Sequence, residues 1–123
     1  MAQRLAKQVR RAFEKLLATD GVKIQYVRGE KTWDLTALRD VVGIQAEDAA
    51  KMSLQRETIV WAVLADGLTC ETIRIWPQVG DRILFDEETF EVVNGTNNRP
   101  WDMDEADRQI LTIFSQAVRS STG

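Results

Sequence analysis

The sequence predicts an α+β, mainly β protein: a small antiparallel β-barrel or sandwich preceded by an N-terminal amphipathic helix. Three observations lead there. Apolar residues recur at three- and four-residue steps only near the start, in Leu5, Val9, Phe13, Leu16 and Leu17. From Val22 onward the chain breaks into short stretches that alternate apolar and polar, the period of a half-buried strand. The breaks carry turn residues: Asp20-Gly21, Gly29, Asp66-Gly67, Pro77 with Gly80, and Asn94-Gly95.

Residues 2–19 form the predicted helix, with Arg4, Lys7, Arg10, Arg11 and Lys15 on its polar face. Asp20-Gly21 ends it, glycine being the usual residue just past a last turn. The helix is basic while the rest of the chain is acidic, so its face is either simply solvated or turned toward a negatively charged partner. Val22, Ile24 and Tyr26 then share one face of a strand. Gly29 turns the chain, and Trp33 and Leu35 continue the alternation, which predicts a hairpin. Leu38 to Gln45 is apolar and extends that strand.

Glu47 to Gln55 has no strand period and reads as a helical turn or a loop. Arg56 to Leu64 is a strand apolar on both faces, which suits a central position or an interface. Around Pro77 to Val93 the pattern is most explicit. Pro77 holds Trp76 extended, Gly80 takes a positive φ, Ile83 and Phe85 share one face, and Asp86-Glu87-Glu88 reverses the chain into Phe90 and Val92. Residues 94–100 form a loop, and Trp101 to Asp107 suggests a short helical turn. Gln109 to Val118 fits a helix through Ile110, Ile113, Phe114 and Ala117, or a strand through its β-branched content.

The 123 residues are expected to form one domain, 1–123: helix 2–19, barrel or sandwich 22–118 with loops near 46–55 and at 94–107, and a polar tail 119–123. A net charge of −3 does not by itself make a nucleic-acid binder. No apolar run has the length of a membrane span, and the charged N-terminus leads into an amphipathic pattern, not a signal-peptide block. Cys70 is the one cysteine, so synthesis in a reducing cytoplasm is expected.

The absence of histidine removes Ser-His and Cys-His catalysis and histidine zinc sites. Asp102, Asp104, Glu105 and Asp107 cluster, but without the glycine and terminal glutamate of a calcium loop. Asp104-Glu105-Ala106-Asp107 matches a helicase motif without any phosphate-binding glycine loop. Catalysis by carboxylates such as Glu57 or Asp81 lacks a paired partner. No catalytic, cofactor-binding or metal-ligating residue is assigned, and no cofactor is expected. The residues assigned to an interface are Arg4, Lys7, Arg10 and Arg11, together with Trp61 and Trp101.

A particular order of segments runs through the chain. A basic helix precedes Tyr26-Val27-Arg28-Gly29. Trp61-Ala62-Val63-Leu64-Ala65-Asp66-Gly67-Leu68 is followed by Pro77-x-x-Gly80-Asp81-Arg82-Ile83, Phe90-Glu91-Val92-Val93, Pro100-Trp101 and Asp107-Arg108. In this order, from Val22 to Val118, the chain resembles the small neck proteins of tailed bacteriophages, variously called head–tail joining, head-completion or stopper proteins. The resemblance implies that the last stretch is a strand. It also implies a non-enzymatic virion protein that assembles as a ring of six or twelve copies at the DNA exit channel. The implied partners are the portal or adaptor protein and the tail-tube or terminator proteins, with genomic DNA within reach and no membrane. An adaptor or tail terminator of the same particle shares this grammar. The reading from another class is a nucleic-acid-binding barrel whose tryptophans stack bases.

Overall fold

A computed structural model describes residues 2–42, 58–95, 98–103 and 109–118, with side chains described from residue 8 onward and, in the second strand, as far as residue 40. Helix α1 spans Ala2–Asp20. Strands β1 (Val22–Arg28), β2 (Lys31–Val42), β3 (Thr58–Leu64), β4 (Thr69–Cys70) and β5 (Ile73–Arg74) follow. Then come β6 (Arg82–Phe85), β7 (Glu88–Val92), β8 (Trp101–Met103) and β9 (Ile110–Ala117).

All pairings are antiparallel, in the order β3-β2-β1-β6-β7-β9, and β9 also pairs with β3. Six strands therefore close into a barrel, which removes the exposed edges an open sheet would carry. One flank of β9 serves two partners: Ser115 to Ala117 pair with β7, and Leu111 to Ile113 pair with β8. Phe114 marks the hand-over, accepting from the Val93 N–H and donating to the Pro100 carbonyl. Between them the chain passes Gly95, where a Cβ would stand 2.5 Å from the Phe114 ring, so only glycine lets the loop lie that close.

Alternation decides the interior. Ile24 and Tyr26, Leu35 and Ala37, Ile59, Trp61 and Val63, Ile83, Phe90 and Val92, and Leu111 and Ile113 all point inward. Trp61 fits there because its indole N–H donates to Ser115 Oγ at 2.7 Å, and that hydroxyl donates to the Ile59 carbonyl. Arg39 is opposite Trp61 in the β2–β3 register and is itself exposed. Its guanidinium lies 5.6 to 5.7 Å from the ring centres of Trp61, Phe85 and Phe90.

α1 lies outside, along β2. Phe13 is buried and Val9 and Leu17 are half-buried, whereas Leu16, expected on the same stripe, is 49% exposed. Gly21 does end the helix, but through close approach: a Cβ there would meet the Leu17 carbonyl at 2.3 Å and Thr36 Cγ2 at 2.7 Å. The final stretch is the strand β9, because Leu111, Ile113 and Ser115 face the interior at period two. The helical turn expected at Trp101 to Asp107 is corrected for its start. Residues 101–103 are the strand β8, which fills the flank of β9 beyond the reach of β7. Residues 47–55 and 104–108 lie outside the described residues, and so do the expectations placed on them.

Candidate functional site

The end of the barrel reached by the C-terminus of β1 holds the most organised side-chain cluster. The register Val27↔Arg82 sets Arg28 opposite Asp81, both on the inward face. Asp81 is only 7% exposed and gathers four donors. Tyr26 Oη donates to it, Arg28 donates through Nε at 3.1 Å and Nη2 at 2.7 Å, and the Gln78 N–H donates at 3.0 Å. Arg28 Nη2 also donates to the Trp76 carbonyl at 2.7 Å. This places residues 76–81 relative to β1, and Gly80, at φ +98°, supplies the turn that brings them there. Burial pushes the Tyr26 phenol well above its ordinary range, and the hydrogen bond to Asp81 adds to it. The hydrogen bond to Asp81 likewise raises the Arg28 guanidinium. Most of these donors converge on Asp81 Oδ2, so this carboxylate is engaged in holding residues 76–81 to β1; Glu57, the other carboxylate considered from the sequence, lies outside the described residues.

The clamp presents a surface. Trp76 stacks against Trp101 with ring centres 4.5 Å apart and planes tilted by 33°. The Arg74 guanidinium lies 5.7 Å from the Trp76 ring and Arg99 4.5 Å from Trp101, making a cation–indole–indole–cation column. On the same segment, Ile73 is 69% and Val79 56% exposed, two of five large apolar side chains left exposed among the described residues. Ile73 follows the β4–β5 turn, in which Glu71 and Thr72 both have positive φ, at 52° and 69°. A β-branched residue held left-handed costs energy and is retained where the surroundings impose it.

The interface residues expected from sequence fall in different places. Arg4 and Lys7 belong to the α1 backbone, but their side chains lie outside the described residues. Arg10 is committed to its own chain, pairing with Glu14 at 2.9 Å and Asp66 at 2.8 Å. Arg11 is exposed. Trp61 is corrected: at 0% exposure and bonded to Ser115 it belongs to the interior and offers no surface. Trp101 is half-buried in the stacked column. Sequence reasoning missed Arg28, whose partner Asp81 is 53 residues away, and Arg39, whose rings come from three other strands; it also passed over Arg74 with Trp76 and Arg99 with Trp101, each only two residues apart. The parity of Arg28 and Asp81 was available, since each continues the inward alternation of its strand.

Among the described residues no three His, Cys, Asp or Glu side chains are grouped to hold a metal. Asp102 pairs with Arg99 at 3.4 Å, and the other three acids of its cluster lie outside the described residues. Cys70 is half-buried on β4. No described helix is long and apolar enough to cross a membrane.

The molecule is thus a small closed barrel with a charged helix on one flank and a cluster of aromatic and apolar side chains at one end. The family model described as Phage head-tail joining protein matches residues 1–122, and the chain belongs to that family. It is thus a structural protein of the phage neck, where head meets tail. No match was found among curated proteins or among solved structures.

Proposed function

We propose that this chain is a non-enzymatic head–tail connector subunit, a head-completion or stopper protein or an adaptor. In this reading it acts as a single domain and assembles as a ring at the DNA exit channel. The ring joins the head, through its portal or adaptor protein, to the proteins of the tail. The observation that carries the reading is the family match together with the barrel end at Ile73, Trp76, Val79 and Trp101. That end is apolar and aromatic, fixed by the buried Asp81 clamp, and rimmed by arginines, the composition of a protein-docking surface. The neighbouring protein of the neck is its occupant.

The test is complementation of a phage lacking this gene with the Ile73→Asp/Val79→Asp variant. Both positions are exposed, so the variant folds; filled heads and separate tails are expected to accumulate, with joined particles falling at least about tenfold. Joined particles at the wild-type level would remove this end from the docking surface. Failure to find the wild-type protein at the neck by immunogold labelling would sink the functional reading itself. The column of Arg74, Trp76, Trp101 and Arg99 also has the chemistry of a single-strand stacking platform. Tight binding to single strands that collapses with salt would favour the nucleic-acid barrel over the connector.

A further inference from the structure

A ring needs two different patches on each subunit, placed on different sides, so that one copy's first patch meets the next copy's second. The barrel's strand order supplies such a pair. Around the closed sheet β2 and β7 are three strands apart in either direction, so they lie on opposite sides. α1 lies outside β2; β7 is on the wall across from it, while the β6–β7 turn borders Lys23, Asp34 and Thr36 at the barrel end where α1 finishes.

The two sides carry opposite charge. Residues 2–20 hold five basic and two acidic side chains, which leaves eleven basic and seventeen acidic in the remainder. Arg11 and Lys15 are exposed on α1, one turn apart, while the acidic Glu14 is taken up by Arg10. On the hairpin Asp86, Glu87, Glu88 and Glu91 are all exposed; Arg82, across from Glu91, is its one basic residue, and Lys23 of β1 borders its turn. Each side also has an exposed leucine: Leu16 on α1 and Leu84, 37% exposed, on β6. An apolar contact inside a rim of complementary charge is the anatomy of a specific interface.

We propose that the exposed face of α1, with Arg11, Lys15 and Leu16, docks on the acidic β6–β7 hairpin and Leu84 of a second copy of this chain. The contact is head-to-tail and repeats around the ring. The inference rests on the ring reading above and adds which surfaces meet.

The experiment uses two variants: Arg11→Glu/Lys15→Glu, and Glu87→Lys/Glu88→Lys. All four positions are exposed, so circular dichroism should show both folded. Sedimentation equilibrium is run on wild type, each variant and their equimolar mixture, up to about 1 mM chain, the weak end of measurable association. Wild type should associate, more weakly as salt rises. Each variant alone should associate at least about tenfold more weakly, since like charges then face each other. The mixture should recover wild-type association, because each helix then meets an oppositely charged hairpin. Variants that associate as wild type, a mixture that fails to recover, or a wild type monomeric throughout would each overturn the proposal. So would helix reversal that lowers DNA affinity but leaves association unchanged. None of these outcomes bears on the neck assignment, which labelling of particles decides separately.

Discussion

Asp81 shows how one side chain holds a surface in place. Its carboxylate receives Tyr26, Nε and Nη2 of Arg28 and the Gln78 N–H, so its removal strands the buried Tyr26 hydroxyl and three part-buried donors at once. Arg28, 29% exposed, recovers some hydration, which keeps the loss for Asp81→Ala near about 3 kcal/mol in urea unfolding. Tyr26 gives a pH signature. Its phenol titrates higher in the folded chain than in the unfolded one, so the folded state holds the proton more tightly. That stabilisation is complete below the unfolded value of about 10 and is lost as pH rises through the folded value. Unfolding free energy should therefore fall above pH ~10, and Tyr26→Phe should flatten the fall while costing about 1 kcal/mol at neutral pH. Because Tyr26 is the only tyrosine, the ultraviolet signal of tyrosinate reports it alone. A tyrosinate signal already complete near pH 10 in the folded protein would contradict the burial argument.

At the scale of elements, the helix and most strands were legible because period and turn chemistry agree, as in β1 with Gly29 and β6 with Gly80. What was not legible depended on pairing. β8 reads as an acidic turn by composition, and it is a strand only because β7 stops short and leaves the flank of β9 open. The four-residue spacing that suits β9 to a helix gives way to period two for the same reason: β3 runs along nearly all of it. Trp61, assigned to an interface from the sequence, is core instead, because Ser115 on the neighbouring strand gives its indole a partner inside the barrel. Two hairpins run against local preference. Both central residues of the β4–β5 turn and of the β6–β7 turn have positive φ, the pattern of type I′ turns, and none is glycine or asparagine. Thr72, at φ 69°, pays most for its β-branch. Thr72→Gly should stabilise by about 0.5–1 kcal/mol, after the greater freedom of glycine in the unfolded chain is subtracted from the relief. A lower thermal midpoint for that variant would show that Thr72 makes a contact worth more than its strain.

For the whole molecule, the barrel and α1 differ in how they are held. The core runs from Ile24 to Ile113 within the closed sheet, and Phe13 is buried outside it. The ion pair from Arg10 to Asp66 that ties the helix on is 38% and 54% exposed at its two ends, so it is worth at most about 1 kcal/mol. Burial of Phe13 contributes more, about 1.5–3 kcal/mol. A chain starting at residue 21 should therefore still fold cooperatively, with stability lower by about 3 kcal/mol and the near-ultraviolet signal of Trp61 retained. It should also lose self-association, because the basic side of the head-to-tail contact goes with the helix while the acidic hairpin stays. Those two readouts separate a helix that builds the fold from one that builds the ring. A truncated chain that unfolds would make α1 part of the core, whereas one that folds and still associates would place the contact between copies elsewhere on the barrel.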